Sequence, residues 1–335
     1  MCSFTPTSPP LHHPHMQHHP HPPSELPKNI PLENVPPLYG GRRAALSLKI
    51  IIVGAGIGGL AATHALAHAG HHITLLDSAS VLSDVGAGIQ VSPNATRLLH
   101  QWGLGQALAE VAVEPMAIVF RRYDTGTRVG YTRWGTRMVE DHGSPYYHIH
   151  RGDYQAMLLH LVRAAPDVRI RLNAAVRDVQ PDPSVQDGPS VTLASGEILH
   201  ADVVIGADGV KSVVQKAVTG LDDAPTPTGD AAYRAIVHTD LMLQDPELRQ
   251  LVETPEMTAW MAPRRHLMAY NIVSVIRYTK HLPFLEVKSL IRWIKCCVAR
   301  EERVQLGTTP PRRRIGRIVD RGRQRRQDAC RFCGL

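Results

Sequence analysis

Near the start of the foldable part of the chain, Gly54-Ala55-Gly56-Ile57-Gly58-Gly59 has the residue types and spacing to hold a pair of phosphates. An anion held by backbone amides needs the chain to come close with no side chain in between, which glycine allows. Gly54 suits a tight turn, Gly56 lets the backbone approach a pyrophosphate, and Gly59 lets a helix pack closely on a strand. Asp77, at the end of the next apolar run, is spaced to accept hydrogen bonds from a ribose. A glycine-rich turn that binds nothing would carry the same glycines, so the surrounding elements decide.

Those elements have the required order. Lys49-Ile50-Ile51-Ile52-Val53 reads as a buried parallel strand, Leu60 to Ala69 as a helix stopped at Gly70, and Ile73 to Leu76 as a second strand. Together they form a βαβ unit. Downstream, 94–102 and 154–164 read as helices and 168–172 and 191–194 as strands. A further strand, 202–205, runs into Gly206-Ala207-Asp208-Gly209. The alternation predicts an α/β fold with a Rossmann-like parallel sheet.

Composition narrows the function. The chain has 335 residues and 43% apolar content, enough for a core. Its net charge of +7 is unevenly placed: residues 273–335 hold 16 Lys/Arg against 5 Asp/Glu, and the rest of the chain is slightly acidic. The body therefore has no basic surface of the kind nucleic acid needs, and the tail arginines lack interleaved aromatic residues. Cysteines occur only at Cys2, Cys296, Cys297, Cys330 and Cys333, which suits a reducing compartment and does not give two well-spaced pairs for zinc. No apolar run is long enough for a membrane span, and the Pro- and His-rich opening lacks the apolar stretch of a signal peptide. The expectations are a cytoplasmic protein with no metal, nucleic-acid or membrane partner. Residues 1–46 are expected to be a disordered leader, with order beginning at Lys49.

Three later stretches extend the glycine motif into a resemblance. Val85-Gly86-Ala87-Gly88-Ile89-Gln90-Val91-Ser92-Pro93-Asn94-Ala95, His150-Arg151-Gly152-Asp153 and Gly206-Ala207-Asp208-Gly209-Val210-Lys211-Ser212 follow it in order. The sequence resembles the FAD-dependent aromatic-ring monooxygenases of the salicylate hydroxylase-like kind, in their fungal form. The resemblance implies FAD as cofactor and NAD(P)H as reductant, with O2 used to hydroxylate a small aromatic acid or phenol. It places Gly86 and Ala87 beside the flavin, Arg151 near the cofactor, and Asp208 at FAD and pyridine nucleotide contacts. Asp230-Ala231-Ala232-Tyr233-Arg234-Ala235 resembles the start of the family's substrate sheet, where Tyr233 and Arg234 would bind or activate a phenolate. Each residue also has a plain structural explanation: a loop at Gly86, a surface ion pair for Arg151, a helix cap for Asp208, and a strand holding Tyr233 and Arg234.

The expected organisation is a leader at 1–46, a Rossmann-like FAD-binding domain with inserted strands at 47–220, and an incomplete β-rich substrate sheet at 221–272. A tail follows at 273–335. The family's Gly-Asp-x-x-His-x-x-x-Pro segment, whose Asp contacts the flavin ribityl chain, does not appear. Val273-Ser274 can be encoded as a splice donor and Val298-Ala299 as an acceptor, so the tail reads as a retained intron followed by a shifted frame. A genuine basic interaction tail is the alternative. With the ribityl-binding segment missing, the chain as written is expected to be catalytically inactive.

Overall fold

A computed structural model describes residues 30, 32–82, 88–181, 188–221, 224–230, 232, 236–237 and 239–272. The expected intron and shifted frame at 273–335, and most of the expected leader, lie outside the described residues. The chain opens with β1 (Lys49–Val53), α1 (Ile57–His68), β2 (His72–Leu76), β3 (Gly88–Val91), α2 (Pro93–Gln101) and α3 (Gly105–Val111). It continues with β4 (Ala117–Arg122), β5 (Arg128–Arg133), α4 (Thr136–His142), β6 (Tyr147–His150), α5 (Arg151–Ala164) and β7 (Val168–Arg171). Then come β8 (Val176–Gln180), β9 (Ser190–Leu193), β10 (Ile198–His200), β11 (Val203–Gly206) and α6 (Val213–Thr219). The last are α7 (Thr239–Leu243), α8 (Pro246–Glu253), β12 (Glu256–Ala262) and β13 (Arg265–Ala269). No helix among the described residues is long and apolar enough to cross a membrane.

The fold is α/β around a parallel sheet of order β11-β1-β2-β7. The unbroken apolar run of β1 reflects burial on both faces. Ile50 and Ile52 join Leu60 of α1 and Met157, Leu158 and Leu161 of α5 in one core cluster. Ile51 and Val53 join Val191 and Leu193 of β9 and Val214 of α6 in the other. An antiparallel sheet of order β10-β9-β8 therefore covers the face that α1 and α5 leave open. The two sheets are also joined by a bidentate bridge from Arg171 to Glu197, at 2.8 and 2.6 Å.

Two expectations are corrected. Order does not begin at Lys49: Ile30 is buried in the main core cluster, the Glu33 amide donates to the Gly103 carbonyl, and Tyr39 Oη donates to the Ala65 carbonyl. A proline-rich strip can dock in this way because it needs only backbone contacts and one apolar anchor. The expected boundary at residue 220 also fails to separate the sheets, since a mixed sheet of order β13-β12-β4-β5 takes strands from both sides of it. Its centre is a parallel pair, with Ala259 of β12 opposite Phe120 of β4.

Two histidines are buried without charge. His64 of α1 lies edge-on to His68 and Trp102, and neither of its ring nitrogens is within hydrogen-bond geometry of a partner among the described residues. Burial, reinforced by His68, pushes its pKa down to about 4. Burial does the same to His148 of β6, to about 4, against a smaller opposing effect of the Asn271 backbone. In the unfolded chain these groups take up protons below about pH 6.5, whereas the folded chain resists protonation until about pH 4. Their contribution is complete above pH 6.5 and is lost as the pH falls from there to 4, at roughly 3 kcal/mol each. Urea midpoints should therefore drop between pH 7 and pH 5, and His64→Leu should flatten that slope. An unchanged midpoint across the window would contradict the burial argument.

Candidate functional site

The turn from β1 into α1 is fixed from several sides. Gly54 has φ +100°, and its amide donates to the Leu76 carbonyl at 2.7 Å. A Cβ there would lie 2.4 Å from the Ala207 carbonyl oxygen, so only glycine fits between the ends of β1 and β11. The Ala55 amide donates to Asp77 Oδ2 at 2.7 Å, and Asp77 Oδ1 accepts from the Ala79 amide at 2.8 Å. Gln155 Nε2 donates to the Ala55 carbonyl at 3.2 Å, tying α5 to the same turn. A Cβ on Gly59 would lie 1.8 Å from the Gly54 carbonyl oxygen. Gly56 and Gly58 differ, because a Cβ at either would meet nothing within 4 Å among the described residues. No side chain caps α1 at Gly56, and no acid stands in its first turn. The result is a helix N-terminus with open space in front of it, whose first amides have no intrahelical acceptor.

Of the residues expected at the site, Gly54, Gly56, Gly59 and Asp77 converge on this turn. Arg151 begins α5, four residues before Gln155 and so on the same helical face. The Asp208 side chain performs the capping alternative: its carboxylate accepts from Ser212 Oγ at 2.6 Å and from the Val213 amide at 2.7 Å, at the start of α6. What Asp208 offers the turn is backbone, since its amide nitrogen would lie 2.9 Å from a Cβ on Gly54. Gly86, Ala87, Tyr233 and Arg234 lie outside the described residues. Gln155 was missed because a lone glutamine in a helix carries no spacing signal. Gly206 was not singled out either, yet a Cβ there would lie 2.7 Å from Val214 Cβ, so it lets α6 close on β11.

A second set of residues gathers on the ribbon formed by β3 and β6, where Gln90 pairs with His148 and Gly88 with His150. A Cβ on Gly88 would lie 2.5 Å from Ile272 and 2.6 Å from the Tyr270 ring, so both side chains press onto that strand. The His148 ring lies 4.7 Å from that of Tyr270, and its Nε2 has no hydrogen-bond partner among the described residues.

Residues 47–286 match the family described as "FAD binding domain". The chain belongs to that family. Among relatives of this FAD-binding domain, the FAD-dependent monooxygenase OpS4 of Beauveria bassiana (strain ARSEF 2860) is 37% identical over 229 residues, covering 67% of this chain and 52% of that protein. The 3-amino-4-hydroxybenzoate 2-monooxygenase PtmB3 of Streptomyces platensis is 36% identical over 224 residues, with 67% and 53% covered. The 3-hydroxybenzoate 6-hydroxylase of Klebsiella oxytoca is 34% identical over 225 residues, with 67% and 54% covered. The chain spans about half the length of the curated relatives it matches. The crystal structure of CtdE in complex with FAD and substrate 4 shares the fold at a TM-score of 0.55 and 22% identity, over 64% of this chain and 52% of that one.

FAD is the cofactor of this domain, and the uncapped α1 terminus with its void at Gly56 suits the cofactor's pyrophosphate. The two glycines should separate under mutation. Gly56→Ala should leave thermal stability within about 0.5 kcal/mol, because φ −71° suits alanine, yet weaken FAD binding at least ~10-fold by filling the approach. Gly59→Ala should destabilise the fold itself by about 1–3 kcal/mol. Melting curves and FAD titrations on both variants check this, and equal effects on stability would contradict it.

Proposed function

We propose that the chain is the FAD-holding part of an NAD(P)H- and O2-dependent monooxygenase that hydroxylates a small aromatic acid or phenol. The observation carrying this reading is the open, uncapped turn at Gly56, braced by Asp77 and Gln155 and found within a matched FAD-binding domain. Two relatives named for hydroxybenzoate substrates support the substrate class.

In this reading Gly54, Gly56 and Gly59 admit the ADP half of FAD, and Asp77 meets the adenosine ribose with the lone pairs that Ala55 and Ala79 leave free. Arg151 supplies positive charge toward the pyrophosphate. Asp208 holds the β11 end against Gly54 by fastening α6, and Gly86 and Ala87 are assigned to the flavin. Bound FAD supplies the redox chemistry by which NAD(P)H and O2 are consumed. The protein's share is to place the ring at the β3–β6 ribbon, to exclude water there with Tyr270 and Ile272, and to present the substrate from the sheet of β4, β5, β12 and β13. Tyr233 and Arg234 are assigned to the substrate phenolate.

The purified chain should bind FAD with visible absorbance, and Asp77→Ala should weaken that binding by about 1–3 kcal/mol. Restoring the family reading frame after Ile272 should then give NAD(P)H oxidation stimulated by a hydroxybenzoate, with one atom of labelled O2 in the product. Failure to retain FAD would overturn the cofactor assignment. FAD retention by the frame-restored protein with no labelled product from any hydroxybenzoate would overturn the reaction.

A further inference from the structure

The strip that precedes β1 is fastened to the body on both sides of a proline pair. Upstream, Ile30 is buried in the main core cluster and the Glu33 amide donates to the Gly103 carbonyl at 2.9 Å. Downstream, the Ala44 amide donates to the Ala69 carbonyl at 2.8 Å, and Ser47 Oγ donates to the Gly70 carbonyl at 2.6 Å. The body receives the strip closely at each place. A Cβ on Gly103 would lie 2.9 Å from the Glu33 carbonyl oxygen, and one on Gly70 would lie 3.1 Å from Arg43 Cβ. Between the two fastenings, Pro36-Pro37-Leu38-Tyr39 is displayed at the surface, with both prolines and Tyr39 exposed.

This loop has the chemistry of a ligand. Pro37 has φ −60° and ψ 145°, the polyproline II conformation. Among the described residues no hydrogen bond reaches the Pro36 carbonyl, so that acceptor is left for a partner. A polyproline II segment is read in aromatic-lined grooves, and little conformational entropy is lost because the pyrrolidine rings already fix φ. The residue that follows the pair selects the reader: WW modules take two prolines and then, at the second position after them, a tyrosine. The chain has four proline pairs, at 9–10, 22–23, 36–37 and 310–311, and only Pro36-Pro37 has a tyrosine at that position. Tyr39 is also placed to change partners. Its φ of +57° is disfavoured for a residue with a Cβ, and its hydroxyl reaches the body through one bond, to the Ala65 carbonyl at 3.2 Å. Exchanging that bond for an aromatic pocket would let the backbone relax.

We propose that residues 36–39 are a docking loop for a WW-type module of another protein. The loop lies outside the glycine turn and the sheet of β4, β5, β12 and β13, so neither the proposal nor its test involves FAD or a substrate. An isolated WW domain of the class that binds Pro-Pro-x-Tyr peptides, titrated into the full chain in a calorimeter, should bind saturably and one to one. Tyr39→Ala and Pro37→Ala should each weaken binding at least ~10-fold, with far-UV circular dichroism unchanged because both side chains are exposed. Pro22→Ala, in a pair that no tyrosine follows, should leave binding unchanged, and so should Leu46→Ala, an exposed residue of the same strip outside the loop. The same WW domain with its proline-stacking tryptophan replaced by alanine should not bind. No saturable binding, an unaffected Tyr39→Ala variant, a loss in Pro22→Ala or Leu46→Ala as large as that in Tyr39→Ala, or equal binding by the tryptophan-less domain would each overturn the proposal.

Discussion

The first turn of α1 rests so closely on the end of β1 that the Gly54 carbonyl occupies the space where any larger residue at position 59 would place its first carbon. Nearly everything at the candidate site depends on that approach. The same turn leaves Gly56 with open space among the described residues and carries Ala55, whose amide and carbonyl meet Asp77 and Gln155.

Several polar side chains here hold the architecture as well as suiting a ligand. Asp77 braces the turn, and Asp208 closes α6 onto β11 with help from Ser212, whose Oγ accepts from the Gln215 amide at 3.0 Å. A carboxylate that fastens a helix start adds stability by satisfying amides that would otherwise lack acceptors. The motif containing Asp208 is thus explained by packing as much as by chemistry.

The βαβ unit was legible because its signals are local: a doubly buried strand reads as an unbroken apolar run, and its glycines mark the turn. The α/β class and the convergence of Gly54, Gly56, Gly59 and Asp77 followed from that. What could not be read depends on partners distant in the chain. The pairing of β4 with β12 leaves no trace in either segment alone. Gln155 meets Ala55 across 100 residues. Gly88 and Gly206 are needed only because Tyr270 and Val214 arrive against them, and the docking of Ile30 rests on one residue in a stretch whose composition resembles a solvated tail.

The β4–β12 pair also bears on how the protein is made. The β4–β5 hairpin leaves the ribosome with one edge of β4 unpaired, and its partner is not synthesised until residue 256 onward. At 5–20 residues per second the interval is on the order of ten seconds, long compared with hairpin formation. Throughout it the edge presents Ala117, Ile118, Val119 and Phe120, an apolar β-rich stretch open to pairing with another nascent chain. Closure of this sheet is therefore a late, non-local step, and soluble yield should be governed by how well that waiting edge is shielded during synthesis more than by the strength of the finished core.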